Sequence, residues 1–181
     1  LLSLFGIVLV SGCFVLPAAA DHHVDIDYAE QMPLATESML LDITHIGDVL
    51  VAVGERGHVV TSVDGENWVQ AEHVPTRSTL TTVFGTAGRL WAGGHDAVII
   101  TSGDQGKTWT LRGTPAVHEP GTCRMNVAAG LAHNGDLIVL CSGWDKHDME
   151  ARRDTRILKP WVCRSTDGGR TWDVSTDFPR Q

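Results

Sequence analysis

One short signature recurs in this chain and constrains its fold more than anything else in it. Ser102-Gly103-Asp104-Gln105-Gly106-Lys107-Thr108-Trp109 and Ser165-Thr166-Asp167-Gly168-Gly169-Arg170-Thr171-Trp172 both read S-x-D-x-G-x-T-W. Ser62-Val63-Asp64-Gly65-Glu66-Asn67-Trp68 is the same signature, one residue shorter between Asp and Trp. Asp64 and Asp104 stand 40 residues apart, Asp104 and Asp167 63. A turn motif returning at a period near 40, between short β-rich runs, is the mark of a propeller blade or a comparable array. The composition fits that reading, with 19 Gly and 6 Trp against a single Tyr.

Each repeat reads as four short strands. The first offers Leu40–Ile46, Val49–Val53, His58–Ser62 and Trp68–Glu72; the second offers Leu80–Phe84, Leu90–Ala92, Ala97–Thr101 and Trp109–Arg112. The third offers Val127–Ala132, an Asn134-Gly135 hairpin signal, Leu137–Cys141, Pro160–Arg164 and Trp172–Ser175. The predicted fold is all-β: a partial propeller of three four-stranded antiparallel blades, over residues 39–75, 79–115 and 122–178. The third repeat is 23 residues longer than the first spacing, and the excess falls mainly between Gly143 and Lys159. This charged excursion reads either as a solvated loop or as one short helix capped by Asp148. Long loops on a rigid β scaffold are where binding and catalysis concentrate.

The signature suits the turn between a blade's third and fourth strands. Its Asp can accept backbone N–H groups across the turn, its Gly supplies a backbone angle that other residues resist, and its Trp covers the turn with a large apolar face. The other reading makes Asp64, Asp104 and Asp167 catalytic or metal-binding, but blade spacing would hold them apart. The expected role is therefore architectural, for Ser62, Asp64 and Trp68, for Ser102, Asp104, Gly106 and Trp109, and for Ser165, Asp167, Gly169 and Trp172.

Residues 1–20 carry no charge and end in Leu16-Pro17-Ala18-Ala19-Ala20 before Asp21-His22-His23. That is a signal-peptide pattern with cleavage after Ala20, and 21–38 is then a linker. Val10-Ser11-Gly12-Cys13 also fits a lipoprotein box, with Cys13 as the acylated residue, and the run is long enough to stay as an uncleaved anchor. In all three readings the rest of the chain is expected outside the cytoplasm, periplasmic or secreted. The start has neither Met nor a basic n-region, so more chain is expected upstream. After cleavage, His23 would stand third and could join the terminal amine in a square-planar Cu(II) or Ni(II) site, a weaker reading than a plain terminus. The net charge of −8, from 14 basic and 22 acidic residues, leaves no basic stripe, so nucleic acid is excluded as a partner.

The three boxes resemble Asp-box (BNR) repeats, found in sialidases, other glycoside hydrolases and non-catalytic propellers. Residues 39–113 resemble the photosystem II stability and assembly factor-like family, on Val53-Gly54-Glu55-Arg56-Gly57-His58-Val59, Val74-Pro75-Thr76, Leu80-Thr81 and Gly94-His95-Asp96-Ala97-Val98-Ile99. That family also occurs in bacteria without photosystems. The resemblance implies a non-catalytic extracytoplasmic scaffold with a protein partner or membrane-protein assembly client. Residues 122–172 instead resemble the opening blade of a sialidase, through Cys123-Arg124-Met125-Asn126, Gly135-Asp136-Leu137-Ile138 and the third box. This resemblance implies that Arg124 binds a substrate carboxylate and that an acid catalyst would be Asp145 or Asp148, with a glycan as ligand. Met125-Asn126 departs from the Ile-Pro of that pattern, and the only tyrosine, Tyr28, lies in the linker rather than where a sialidase nucleophile stands. The competing reading of Arg124 is a surface residue at a strand start.

Cys123, Cys141 and Cys163 all fall in the third repeat, where Cys141 and Cys163 could face each other across a ladder, as a disulfide or as buried thiols. Their spacing is no zinc signature. His58 and His95 read as hydrogen-bonded turn residues. No organic cofactor is expected. Fewer than about four blades cannot close a ring, so either the chain continues beyond Gln181 or copies assemble.

Overall fold

The computed structural model describes residues 26–86, 88–115, 119–145 and 157–177, with the backbone alone at 126 and 127. Its body is three antiparallel four-stranded sheets, each a meander in sequence order, which together make a partial β-propeller. The first blade comprises β1 (Leu40–Ile46), β2 (Val49–Gly54), β3 (Val59–Ser62) and β4 (Val69–Gln70). The second comprises β5 (Leu80–Thr86), β6 (Arg89–Gly94), β7 (Ile99–Ser102) and β8 (Thr110–Gly113). The third comprises β9 (Thr122–Leu131), β10 (Leu137–Asp145), β11 (Trp161–Ser165) and β12 (Asp173–Ser175). The first strands, β1, β5 and β9, lie side by side.

Strand alternation makes the second blade a middle layer. Leu80, Val83, Leu90, Ala92 and Ile100 face the first blade and pack on Val51, Val53 and Val59. Trp91, Ala97 and Ile99 face the other way, onto Leu137, Val139, Cys141 and Cys163. Period-two patterning with both faces apolar is what a sheet buried on both sides requires. Polar staples also cross between the first two blades: the Asp42 carboxylate accepts the Val83 N–H at 2.8 Å, and Glu72 N–H donates to Lys107 O at 3.1 Å.

The outermost strands of the first and third blades are shorter than the sequence predicts, while β8 keeps the predicted four residues, one position on. β4 holds two residues, where Trp68–Glu72 is the sequence expectation. The indole of Trp68 bends back to its own turn, and only Val60 and Thr61 find partners on β4. The first two strands of the third blade differ in the opposite sense. β9 begins at Thr122 and β10 runs to Asp145, pairing throughout from Leu137↔Leu131 to Asp145↔Thr122. Cys123 to Asn126 are therefore strand residues, and so are Trp144 and Asp145, which the sequence places in the inserted loop. The rest of that excursion, with Asp148, lies outside the described residues. So do the predicted signal segment, Cys13 and His23.

Residues 26–38, expected to be a linker, run as a strap along the first blade. A 3₁₀ turn over Ala35–Glu37 presses Ala35 and Met32 against Ala52, Val60, Leu40 and Trp68, on the face turned away from the second blade. Ala29 N–H donates to Val74 O (2.9 Å), Gln31 Nε2 to Ala71 O (2.9 Å) and Gln70 Nε2 to Glu30 O (2.8 Å). Apolar burial on one side, and on the other one backbone bond and two glutamine bonds to backbone carbonyls, fix the strap.

Candidate functional site

The boxes form three copies of one turn. In the second, Ser102 Oγ donates to Asp104 Oδ1 at 2.7 Å and accepts the Gly106 N–H at 2.9 Å. Asp104 also accepts the Thr108 N–H (3.0 Å) and Thr108 Oγ1 (2.6 Å), and Trp109 Nε1 donates to Gly106 O (2.9 Å). The third repeats the Ser, Asp, Gly and Thr bonds with Ser165, Asp167, Gly169 and Thr171, at 2.7–2.9 Å, but its Trp172 Nε1 is buried without a partner among the described residues. In the first, Asn67 takes the place of Thr: its N–H and Nδ2 reach Asp64 at 2.8 and 2.7 Å, and Trp68 Nε1 donates to Gly65 O.

These bonds hold the carboxylates in their charged form. Asp64 lies well below the usual range through Asn67 first, and Asp167 likewise through Thr171. At Asp104 partial burial pushes upward, yet the combined bonds from Thr108 and Ser102 prevail and the net shift is downward. Among the described residues, no three His, Cys, Asp or Glu side chains gather as a metal site.

Each box also leans on the blade before it. Trp109 packs in the core shared by the first two blades, and Trp172 against the core shared by the second and third. Gly106, at φ 85°, comes so close that an added Cβ would sit 3.2 Å from Val51. Trp68 has no preceding blade among the described residues, and the strap residues Met32 and Ala35 cover it instead.

At the opposite end of the blades lie the β2–β3 turn (55–58), the β6–β7 turn (95–98), the start of the insertion after Asp145 and the connectors after β4 and β8. The turns are clamped to the preceding chain, Glu55 N–H to Met39 O (3.0 Å) and His95 N–H to Thr79 O (2.9 Å). Four non-glycine residues with positive φ belong to this end: Arg56 (57°), His73 (52°), Asp96 (54°) and Ala97 (54°). Such angles cost energy and concentrate where loops are held for a purpose. A groove of about 440 Å³ opens here, lined by apolar Ile26, Pro75, Val98 and Leu111 and by charged Asp27, Arg77 and Asp96. Arg77 reaches Glu30 at 3.0 Å and Asp27 at 3.8 Å, while Ser78 Oγ donates to Asp96 at 2.6 Å. At the base of the insertion, Trp144 and Ile157 are exposed and bridge each other across the ladder. A larger concavity, about 740 Å³, opens at the box end between the second and third blades, beside the stacked rings of Phe84 and Trp91.

His58 is buried and hydrogen-bonded, Nδ1 lying 2.9 Å from Ser38 Oγ. Burial lowers its pKa; Glu55 opposes this and Arg56 adds to it. His95 is exposed, its backbone bridged to Met125.

Arg124 is 3% exposed, so it is not the surface residue that one sequence reading makes it. Its guanidinium lies 3.9 Å over the Trp161 ring, and Nη1 donates to Lys159 O at 2.8 Å. The reason lies in the repeat: Arg124 pairs with Gly143 as Leu40 pairs with Gly54 and Leu80 with Gly94. At all three glycines an added Cβ would strike a backbone oxygen at 2.0–2.1 Å. Arg124 thus occupies the place of a core leucine, and aligning those Leu and Gly pairs in the sequence would have revealed it. Tyr28 packs edge-on against His73, in the first blade, far along the chain from Arg124. Asp145 is half-buried at the end of β10.

Sequence reasoning missed the Asp136–Arg164 ion pair, which ties β10's entry to β11. The Arg164 hydrogen bond, outweighing burial, holds Asp136 below the usual carboxylate range. It also missed the Arg77–Glu30 pair, which carries no periodic signal.

No family model matches this chain, and no curated protein does. Among solved structures, YCF48 from Cyanidioschyzon merolae aligns with 82% of this chain at 16% identity and a TM-score of 0.37. The chain spans 58% of that protein's length. A structure of YCF48 bound to D1 peptide aligns with 77% of this chain and 69% of its own, at 14% identity and a TM-score of 0.36.

Proposed function

We propose that this chain is a non-catalytic, extracytoplasmic β-propeller unit that presents the loop-bearing end of its blades to a protein partner, as an assembly scaffold for a membrane-protein client. The observation that carries this reading is the division of labour between the two ends. At one end each Asp is engaged by the donors of its own turn, so the box residues staple blades. At the other, strained turns, the groove around Arg77 and the exposed pair Trp144 and Ile157 form a surface with mixed charge and apolar anchors, the composition of a protein-binding patch. The uncharged run of residues 1–20 supports export, and the resemblance of residues 39–113 to the assembly-factor family supports the client class.

Photo-crosslinking tests it. A photoreactive residue replacing Trp144 or Arg56 in the exported full-length protein should join to the extracytoplasmic segment of a membrane protein, while one replacing Asn67 at the box end should not. Hydrolysis of a fluorogenic sialoside, lost in an Arg124→Ala variant shown to be folded, would replace this reading with a glycosidase.

A further inference from the structure

Two thiols of the third blade are placed for a bond that neither the boxes nor the loop end uses. Cys141 on β10 and Cys163 on β11 are fully buried, and their sulfurs lie 3.7 Å apart. The strands pair with Val139 opposite Cys163 and Cys141 opposite Trp161, so the two cysteines are diagonal neighbours on one face of the sheet. That face packs against Trp91, Ala97 and Ile99 of the second blade. Cys123 sits elsewhere, on β9 opposite Trp144, and is only half-buried.

We propose that Cys141 and Cys163 form an intrachain disulfide when the chain meets an oxidising thiol–disulfide pool, fastening β10 to β11 directly beneath the insertion. The bond would close a ring over residues 142–162. Within that ring Leu158 N–H already donates to Gly143 O at 2.9 Å, so the crosslink sits just below the pinned base of the excursion. The sulfurs have to approach by about 1.7 Å to reach bonding distance. Among the described residues β11 is flanked on its far side by the exposed three-residue β12, so local opening of that edge exposes the pair to the oxidant.

The chemistry is thiol–disulfide exchange with a small-molecule disulfide such as glutathione disulfide. One cysteine gives its proton to solvent, and its thiolate attacks a glutathione sulfur; the glutathione S–S bond breaks and one glutathione thiolate leaves. The second cysteine, its proton passed to that thiolate, attacks the cysteine sulfur of the mixed disulfide and expels the other glutathione, whose thiolate takes up the proton given to solvent. Two protein thiols are oxidised, one disulfide is reduced to two thiols, and both protons are accounted for. The pair is prepared for this by its shared hydrogen bond, which holds Cys141 up and Cys163 down, while the positive charge of Arg124 favours the thiolate at each.

The test equilibrates the purified full chain in glutathione redox buffers, quenches with acid, unfolds and alkylates it, then maps the peptides by mass. The expected result is one crosslinked peptide joining Cys141 to Cys163, with Cys123 alkylated. Relative to the dithiothreitol-reduced protein, the thermal midpoint should rise by about 5–10 °C, and the rise should vanish when Cys141 and Cys163 are both Ser. Should that double variant fail to fold, Cys123→Ser retains the pair and must show the same crosslink and the same rise. Alkylation of both Cys141 and Cys163 at every glutathione ratio, or a crosslink through Cys123, overturns the proposal. No partner is involved, so this outcome is independent of the crosslinking result above.

Discussion

Arg124 shows how far the role of a residue depends on its place in a repeat. A guanidinium at a strand start suggests a carboxylate clamp when taken alone. Set beside Leu40 and Leu80 at the matching positions, it is a core residue whose charge is accommodated by Trp161 and the Lys159 carbonyl. Replacing a buried charge with an apolar side chain of similar volume is often neutral or stabilising, whereas truncating it leaves a cavity and unpaired groups. Arg124→Leu should therefore unfold in urea within about 1 kcal/mol of the parent, and Arg124→Ala should lose about 3 kcal/mol or more. A loss on Arg124→Leu as large as on Arg124→Ala would mean that the charge itself is required. Asp104 offers a second test, because it accepts three bonds from Ser102 and Thr108. Asp104→Ala releases those donors to solvent, so chemical unfolding should register a loss of about 1–2 kcal/mol.

Among the elements, the strap has the clearest consequence. Ala35 is 2% exposed against Ala52 and Val60, and it helps to cover Trp68. Ala35→Asp places a carboxylate in that contact, where an unpaired charge is not tolerated. The strap should lift, Trp68 emission should shift to longer wavelength, and the thermal midpoint should fall while far-ultraviolet strand content remains. An unchanged emission spectrum would show that Trp68 does not depend on the strap. These residues also show what the sequence made legible. A run such as Val49–Val53 announces itself because a sheet buried on both faces needs unbroken apolar stretches. The strap does not, since Met32 and Ala35 are short contacts on an irregular segment, and its polar bonds involve backbone groups that any sequence possesses. The length of β9 and β10 was equally hidden: Cys123-Arg124-Met125-Asn126 alternates with the wrong phase, its charged Arg124 being the buried member, and its pairing is set by β10 across the ladder.

For the molecule as a whole, acid is the discriminating condition. Asp64, Asp104 and Asp167 are each held below the ordinary carboxylate range, one in every blade. A carboxylate whose folded pKa is depressed contributes stability that is fully present above its unfolded value, about 3.9, and is lost as pH falls through the folded one. Acidification below about pH 4 should thus weaken all three blades over the same range. Tryptophan fluorescence and circular dichroism, followed from pH 7 downward, are expected to report one coincident transition, with Asp104→Asn less sensitive to acid than the parent. Separate transitions for the two probes would show that the blades respond independently.

The backward lean of the box tryptophans gives the chain a polarity. Trp68 rests on the strap, Trp109 on the wall shared with the first blade and Trp172 on the wall shared with the second, so every unit is completed by something already laid down on its amino-terminal side. A polypeptide threading out of a narrow exit, amino end leading, would meet each docking wall ready-made as the next module emerges. The order of synthesis and the order of consolidation then coincide, and no half-finished wall has to wait for sequence still to come.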